Sequence, residues 1–250
     1  MANSKAPVGC LLIHGFTSHR SSLEAVIPEL EKRHIPWHYP ILAGHGTSPA
    51  DLRNVTWQDW VNDVTQGLQY LQGDVEKVVV VALSMGSMLG LELAAAFPTQ
   101  IVGVELLSPT LHFRLKLAKF TPMLSRVIRR FPNPSPAKFS SLKLAKQDKG
   151  YQWFPTGTFR QYWERTQDFD PVIQRVHQPT RIIHAKRDMV GHPSGAQHIF
   201  DLLPAKQKEL IWLHKSGHEV LLDAEVPTVL EHILSFPPLQ AAARALDGTR

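Results

Sequence analysis

The sequence predicts an α/β fold: a mostly parallel, doubly wound sheet of about six strands with helices on both faces and one helical insertion. Three observations carry this. Short apolar runs alternate with longer amphipathic stretches along most of the 250 residues, the order that gives parallel strands joined by right-handed crossovers. Several of the runs are apolar on both faces, as strands covered from two sides must be. One stretch, between Ser108 and Pro179, lacks such a run and is too long for a plain connection in a compact domain.

The expected strands are Val8 to Ile13, Trp37 to Ile41, Lys77 to Leu83, Ile101 to Leu107, Thr180 to Ala185 and Lys208 to Leu213. Between them, Ser22 to Arg33 carries Leu23, Val26, Ile27 and Leu30 on one stripe, which predicts a helix. Thr56 to Leu71 opens with Thr56 and Asp59, a capping-box start with Asp in place of Glu. Met88 to Phe97 is rich in Ala and Leu and stops before Pro98. Pro227 suits the first turn of a helix over Val229 to Phe236. Pro122, Pro132, Pro134, Pro136 and Pro155 punctuate the insertion, which reads as short helices over one end of the sheet. The expected division is a core of residues 1–108 and 179–238, a cap of 109–178, and a weakly ordered tail of 239–250 after Pro237-Pro238.

Composition narrows the function. A hydrophobic fraction of 43% with 20% charged residues fits a globular chain and not a disordered or fibrous one. The single cysteine, Cys10, allows no internal disulfide framework and no four-cysteine zinc site. Val78 to Leu83, among the longest apolar runs, is far short of the roughly 18 residues of a membrane span. No secretory signal is visible near the start, so a cytoplasmic protein is expected. The net charge of +5 is local. Thr110 to Gly150 holds ten basic residues against Asp148 alone, which leaves the rest of the chain net negative. No nucleic-acid-binding motif accompanies that charge, so nucleic acid is not an expected partner.

The chemistry concentrates where strands end. Val80-Val81-Ala82-Leu83 runs into Ser84, and Met85-Gly86 opens a helical pattern. Small neighbours allow the sharp strand-to-helix turn that lifts a hydroxyl above the sheet. Taken alone, Ser84 also suits a helix N-cap. A serine nucleophile needs a base, and the base needs an orienting carboxylate. His218, in Ser216-Gly217-His218, lies just beyond the last strand, and Asp188 lies just beyond the strand before it. The order Ser84, Asp188, His218 is the one this architecture uses. Asp223 is the rival carboxylate, but it follows His218 too closely to come from a separate strand end. At the end of the first strand, Gly15 permits close backbone approach. The Phe16 and Met85 N–H groups then converge as candidate oxyanion donors. Gly44-His45-Gly46-Thr47-Ser48 reads as a structural loop at the same edge. His34 and His38 are spaced like metal ligands, but Pro36 spoils a shared helical face.

Together His14-Gly15-Phe16, Gly44-His45-Gly46-Thr47-Ser48, Leu83-Ser84-Met85-Gly86, Arg187-Asp188 and Ser216-Gly217-His218 resemble the α/β-hydrolase superfamily. Within it, the chain is similar to small bacterial carboxylesterases and monoacylglycerol lipases. The resemblance spans nearly all of the chain except the insertion and tail. It implies the α/β-hydrolase fold, Ser84 as nucleophile with Asp188 and His218 as partners, Phe16 and Met85 as oxyanion donors, and no cofactor. Two features depart from the pattern: Ala82 stands where the first glycine of the nucleophile motif is usual, and the leading antiparallel hairpin of larger relatives looks absent. Relatives with dehalogenase or epoxide hydrolase activity carry aspartate at the position of Ser84.

The expected substrate is a short- to medium-chain acyl ester, including monoacylglycerols. Gly15, Leu111, Phe113, Phe120, Trp153 and Phe154 are the expected substrate contacts, although residues of this kind also pack caps onto sheets. Leu and Phe interleaved with Arg and Lys along the insertion read first as a solvated basic face and alternatively as a contact for an anionic lipid surface. Other triad hydrolases of the same fold, cleaving thioesters, lactones, peracids or carbon–carbon bonds, and a non-catalytic ligand receptor are the rival readings. The sequence leaves the oligomeric state open.

Overall fold

A computed structural model describes residues 5–247. The first four residues assigned to the core and the last three of the tail lie outside the described residues. In chain order the elements are β1 (Ala6–Ile13), α1 (Ser21–Glu24), α2 (Ile27–Lys32), β2 (Trp37–His38), α3 (Trp57–Leu71), β3 (Val75–Leu83), α4 (Met85–Ala96) and β4 (Ile101–Leu107). The insertion adds α5 (Thr121–Leu124), β5 (Arg130–Pro132), α6 (Leu142–Ala145), β6 (Trp153–Pro155), α7 (Thr156–Gln167) and α8 (Asp170–Ile173). The chain then completes the core with β7 (Thr180–Ala185), α9 (Pro193–Leu202), β8 (Lys208–Leu213), α10 (Val226–Ser235) and α11 (Pro237–Asp247).

Six strands form one parallel sheet in the order β2-β1-β3-β4-β7-β8. Strand periodicity divides the core in two. Leu11, Ile13, Val78, Val80 and Ala82 face α3 and α4, whereas Cys10, Leu12, Val79, Val81 and Leu83 face α1, α2, α10 and α11. Every strand of this sheet is parallel, so its C-terminal ends lie along one edge, where open α/β sheets hold their ligands.

Some elements depart from the sequence reading. The stripe from Ser22 to Arg33 forms two short helices, α1 and α2, because Pro28 has no N–H to continue one ladder. The second strand ends at His38; it is an edge strand, and Pro40 lacks a donor for a longer ladder. The helix expected from Met88 begins at Met85, directly after Ser84. The insertion holds more than short helices. Phe131 pairs with Phe154 in an antiparallel β5–β6 ladder, and α7 runs for 12 residues. Of the prolines that read as breakers, Pro132 and Pro155 sit at the ends of that two-stranded ribbon, where edge positions tolerate them; Pro122 lies in the first turn of α5, and Pro134 and Pro136 belong to a short turn after β5. The stretch read as a weakly ordered tail is helical through Asp247. Pro237 and Pro238 open that helix, and Leu239 and Ala242, three residues apart, bury against the core.

Candidate active site

Ser84 sits at φ +57°, ψ −118° between β3 and α4, a conformation that costs a non-glycine residue about 1–3 kcal/mol. The turn is that tight because two backbones nearly touch. A Cβ on Gly86 would lie 2.4 Å from the Ile13 carbonyl oxygen and 2.5 Å from that of His14, and one on Gly15 would lie 2.9 Å from Ser84 Cβ. Both positions exclude any side chain. The Ala82 methyl faces Gly90 of α4, where an added Cβ would lie 3.4 Å from it.

Three strand ends then meet. The Ser84 hydroxyl donates to His218 Nε2 at 2.9 Å, and His218 Nδ1 donates to Asp188 Oδ2 at 2.7 Å. Asp188 Oδ1 accepts from the Val190 and Gly191 N–H groups at 2.7 and 2.9 Å. All three side chains are buried. Burial opposes ionisation of Asp188, but the His218 ring and its hydrogen bond outweigh it and hold the carboxyl below its ordinary range. Burial also pulls His218 down, and the Asp188 charge and hydrogen bond raise it above the ordinary histidine value. The neighbouring Glu219 raises it too, and Lys138 lowers it.

Two buried histidines hold the loop that follows β1. Burial lowers His14 to about 4 and His45 to about 3. Each ring accepts one backbone N–H through Nε2: Leu42 for His14 at 3.1 Å, and Thr17 for His45 at 3.0 Å. The second bond anchors the residue after Phe16 to the loop at Gly44–Ser48, whose structural role follows from it. Phe16 N–H has no acceptor among the described residues. Met85 N–H opens α4, so no carbonyl in its own helix accepts from it.

Asp223, the rival carboxylate, does different work. Its Oδ2 accepts from Gly217 N at 2.8 Å and Ser140 N at 2.7 Å, and Oδ1 accepts from Ser140 Oγ. The Lys138 carbonyl accepts from the His218 and Glu219 N–H groups at 2.8 and 3.1 Å. The insertion therefore grips the loop that carries His218. Sequence spacing carried no signal of this, because the partners are about 80 residues apart.

A cavity of about 390 Å³ opens beside Ser84. Of the residues expected to contact substrate, Gly15, Phe113 and Phe154 line it. Leu111, Phe120 and Trp153 do not. Leu111 is buried in the core on the helix face of the sheet, Phe120 packs under the Lys119 ammonium near the surface, and Trp153 stacks under the Arg130 guanidinium. The side chains that sequence reading left off the contact set include Phe131, Phe159, Tyr162 and Thr110. The aromatic character of Phe131, Phe159 and Tyr162 was visible, but which side faces the cavity depends on β5–β6 and α7, which the proline spacing concealed; Thr110, a polar residue after β4, gave no such signal.

Comparison with known proteins fits this geometry. The family model described as serine aminopeptidase, S33, matches residues 5–225. A carboxylesterase from Bacillus subtilis (strain 168) is 25% identical over 229 residues, covering 90% of each chain. A thermostable monoacylglycerol lipase from Bacillus sp. (strain H-257) is 29% identical over 231 residues, covering 92% of this chain and 90% of its own. Among solved structures, a metagenome-derived lipolytic enzyme superposes with a TM-score of 0.86 at 24% identity, covering 93% of this chain and 94% of its own, a likeness of fold.

Proposed function

The chain belongs to the serine aminopeptidase S33 family of hydrolases, and from that premise we propose a serine carboxylic-ester hydrolase acting on short- to medium-chain acyl esters, monoacylglycerols included. The observation that carries this reading is the Ser84–His218–Asp188 chain of hydrogen bonds at the wall of an apolar cavity. Ser84 Oγ attacks the ester carbonyl while His218 Nε2 takes its proton and Asp188 steadies the imidazolium. The Phe16 and Met85 N–H groups hold the oxyanion. His218 then protonates the leaving alcohol, and later activates water to release the acid and regenerate Ser84.

The cavity favours an ester over an aminopeptide. Binding an α-ammonium calls for carboxylate oxygens facing the ligand. Glu219 is the one acid among the described lining residues, and its Oε2 is buried away from solvent. The Bacillus relatives are named for ester substrates. A panel of nitrophenyl esters, monoacylglycerols, acyl thioesters and aminoacyl anilides tests the assignment. The highest kcat/KM is expected on the esters of short and medium chains, with anilides at background. Faster thioester than ester turnover would move the assignment to a thioesterase.

The insertion supports a lipid surface as the source of substrate. Leu115, Leu117, Met123 and Val127 stand 49%, 52%, 61% and 77% exposed, interleaved with Lys116, Lys119 and Arg126. Leu115 and Leu117 also line the cavity, so its rim is the exposed apolar edge. Apolar side chains set among basic ones suit an anionic bilayer. Co-sedimentation at physiological salt should recover more protein with anionic than with neutral phospholipid vesicles; equal recovery would leave the solvated basic face as the better reading. Among the described residues no helix is long and apolar enough to cross a membrane. Cys10, buried and unpaired, is in keeping with the cytoplasmic location read from the sequence.

A further inference from the structure

The nucleophile's oxygen has a second hydroxyl beside it. Thr110 Oγ1 lies 3.2 Å from Ser84 Oγ and also 3.2 Å from the Ser108 carbonyl oxygen, with the whole residue buried. One hydroxyl proton thus has two acceptors, and it serves whichever is the more basic. The surroundings fix this geometry. The Tyr162 hydroxyl, reaching in from α7, donates to the Thr110 carbonyl at 2.9 Å. Ser108 Oγ donates to the His218 carbonyl at 2.8 Å, which ties the same segment to the base. A Cβ on Gly191 would come within 2.9 Å of Thr110 Oγ1, so the absence of a side chain there leaves room for the hydroxyl.

We propose that Thr110 is a further catalytic residue, whose hydroxyl stabilises the negative charge on Ser84 Oγ while the proton is on its way to His218. The proposal rests on Ser84 being the nucleophile, as assigned above. At rest the Ser84 proton points to His218 Nε2, and Thr110 divides its own between two neutral oxygens. During attack the Oγ–carbon bond forms, the Ser84 proton passes to Nε2, and the carbonyl electron pair moves onto the oxyanion. Charge on Oγ makes it the better acceptor, because charge-assisted hydrogen bonds are roughly twice as strong as neutral ones. This is stabilisation present in the transition state and weak in the ground state, the kind that raises rate. In the acyl-enzyme Oγ is an ester oxygen and a poor acceptor, so the hydroxyl returns to the Ser108 carbonyl. When the Oγ–carbon bond breaks in deacylation, Thr110 donates to Oγ again until His218 gives its proton back.

The test compares Thr110→Val, which keeps the shape and removes the hydroxyl, with Thr110→Ser, which keeps the hydroxyl. The rate of fluorophosphonate labelling at Ser84 and kcat/KM on a nitrophenyl ester are read side by side with melting temperature. Valine is expected to slow both rates about tenfold and serine to stay within about twofold of wild type. The midpoint of the acid limb of the pH profile should not move, since Thr110 carries no charge and makes no hydrogen bond to the imidazole. Wild-type labelling rates in the valine variant, or an equal loss in the serine variant, would overturn the proposal. If valine perturbs folding, Thr110→Ala read against Thr110→Ser gives the same comparison. Absence of any adduct at Ser84 in wild type would instead defeat the nucleophile assignment, and this proposal with it.

Discussion

Ser84→Ala is expected to lower kcat on a nitrophenyl ester by on the order of 10⁶, and the variant is expected to take no fluorophosphonate. The magnitude follows from what the substitution leaves. The backbone donors at Phe16 and Met85 and the apolar cavity still bind the ester, so a residual rate above water remains, but no atom can form the acyl bond. Folding is not the cause of the loss, because Ser84 contributes one buried hydroxyl whose partners, His218 and Thr110, keep other hydrogen bonds. A companion variant separates the two effects. Ser84→Gly is equally inactive, yet it accepts φ +57° without the cost borne by a β-carbon, and it should melt above Ser84→Ala. Retention of even one per cent of wild-type turnover by Ser84→Ala would mean that another nucleophile does the chemistry.

Asp188→Asn is the second large effect, a fall in kcat of about 10⁴ at neutral pH. The asparagine fills the same space, but it no longer fixes the imidazole with Nδ1 protonated and Nε2 free to accept from Ser84. The pH profile carries the diagnostic sign. His218 must be neutral to act as base, and its pKa is raised above the ordinary value of 6.5. Wild-type activity is therefore expected to fall on the acid side, with its midpoint shifted upward from that of an ordinary histidine. Removing the Asp188 charge leaves burial as the main influence on His218, and burial disfavours the imidazolium. In Asp188→Asn the acid limb moves to lower pH while the plateau collapses. Rate measurements from pH 5 to 9 on both proteins read this directly. An acid limb at the same midpoint in both would show that Asp188 does not govern the base. His184 does not confuse the result: it lies 3.6 Å from Asp188 Oδ2, but burial lowers it to about 4 and keeps it neutral over that range.

Several parts of this molecule could be read from one dimension because they rest on local physics. The strands Ile101–Leu107, Thr180–Ala185 and Lys208–Leu213 have the bounds read from the sequence, since a short stretch rich in apolar residues between turns is enough to mark a strand covered by helices. The cap at Thr56 was equally plain, because Thr56 and Asp59 satisfy each other's backbone donors within one turn. Parallel topology then does the rest: once strands and helices alternate, the residues following β1, β3, β7 and β8 fall on the same sheet edge. Chain order alone thus nominated Ser84, Asp188 and His218.

Other features were settled only by distant contacts. Asp223 was a carboxylate near a histidine until folding brought Ser140 and Gly217 to it. Leu111 and Phe113 are two residues apart and similar in character, yet Leu111 is buried in the core while Phe113 packs against that core and also lines the cavity, a difference made by tertiary packing. The insertion's prolines gave no hint that β5 and β6 pair, since a two-stranded ribbon leaves them free edges. Periodicity and chain order set the sheet and the edge where chemistry can occur, because those depend on neighbours within a few residues. Which hydroxyl stands beside the nucleophile, and which wall a substrate touches, depend on packing between segments far apart in the chain, and sequence spacing carries no record of that.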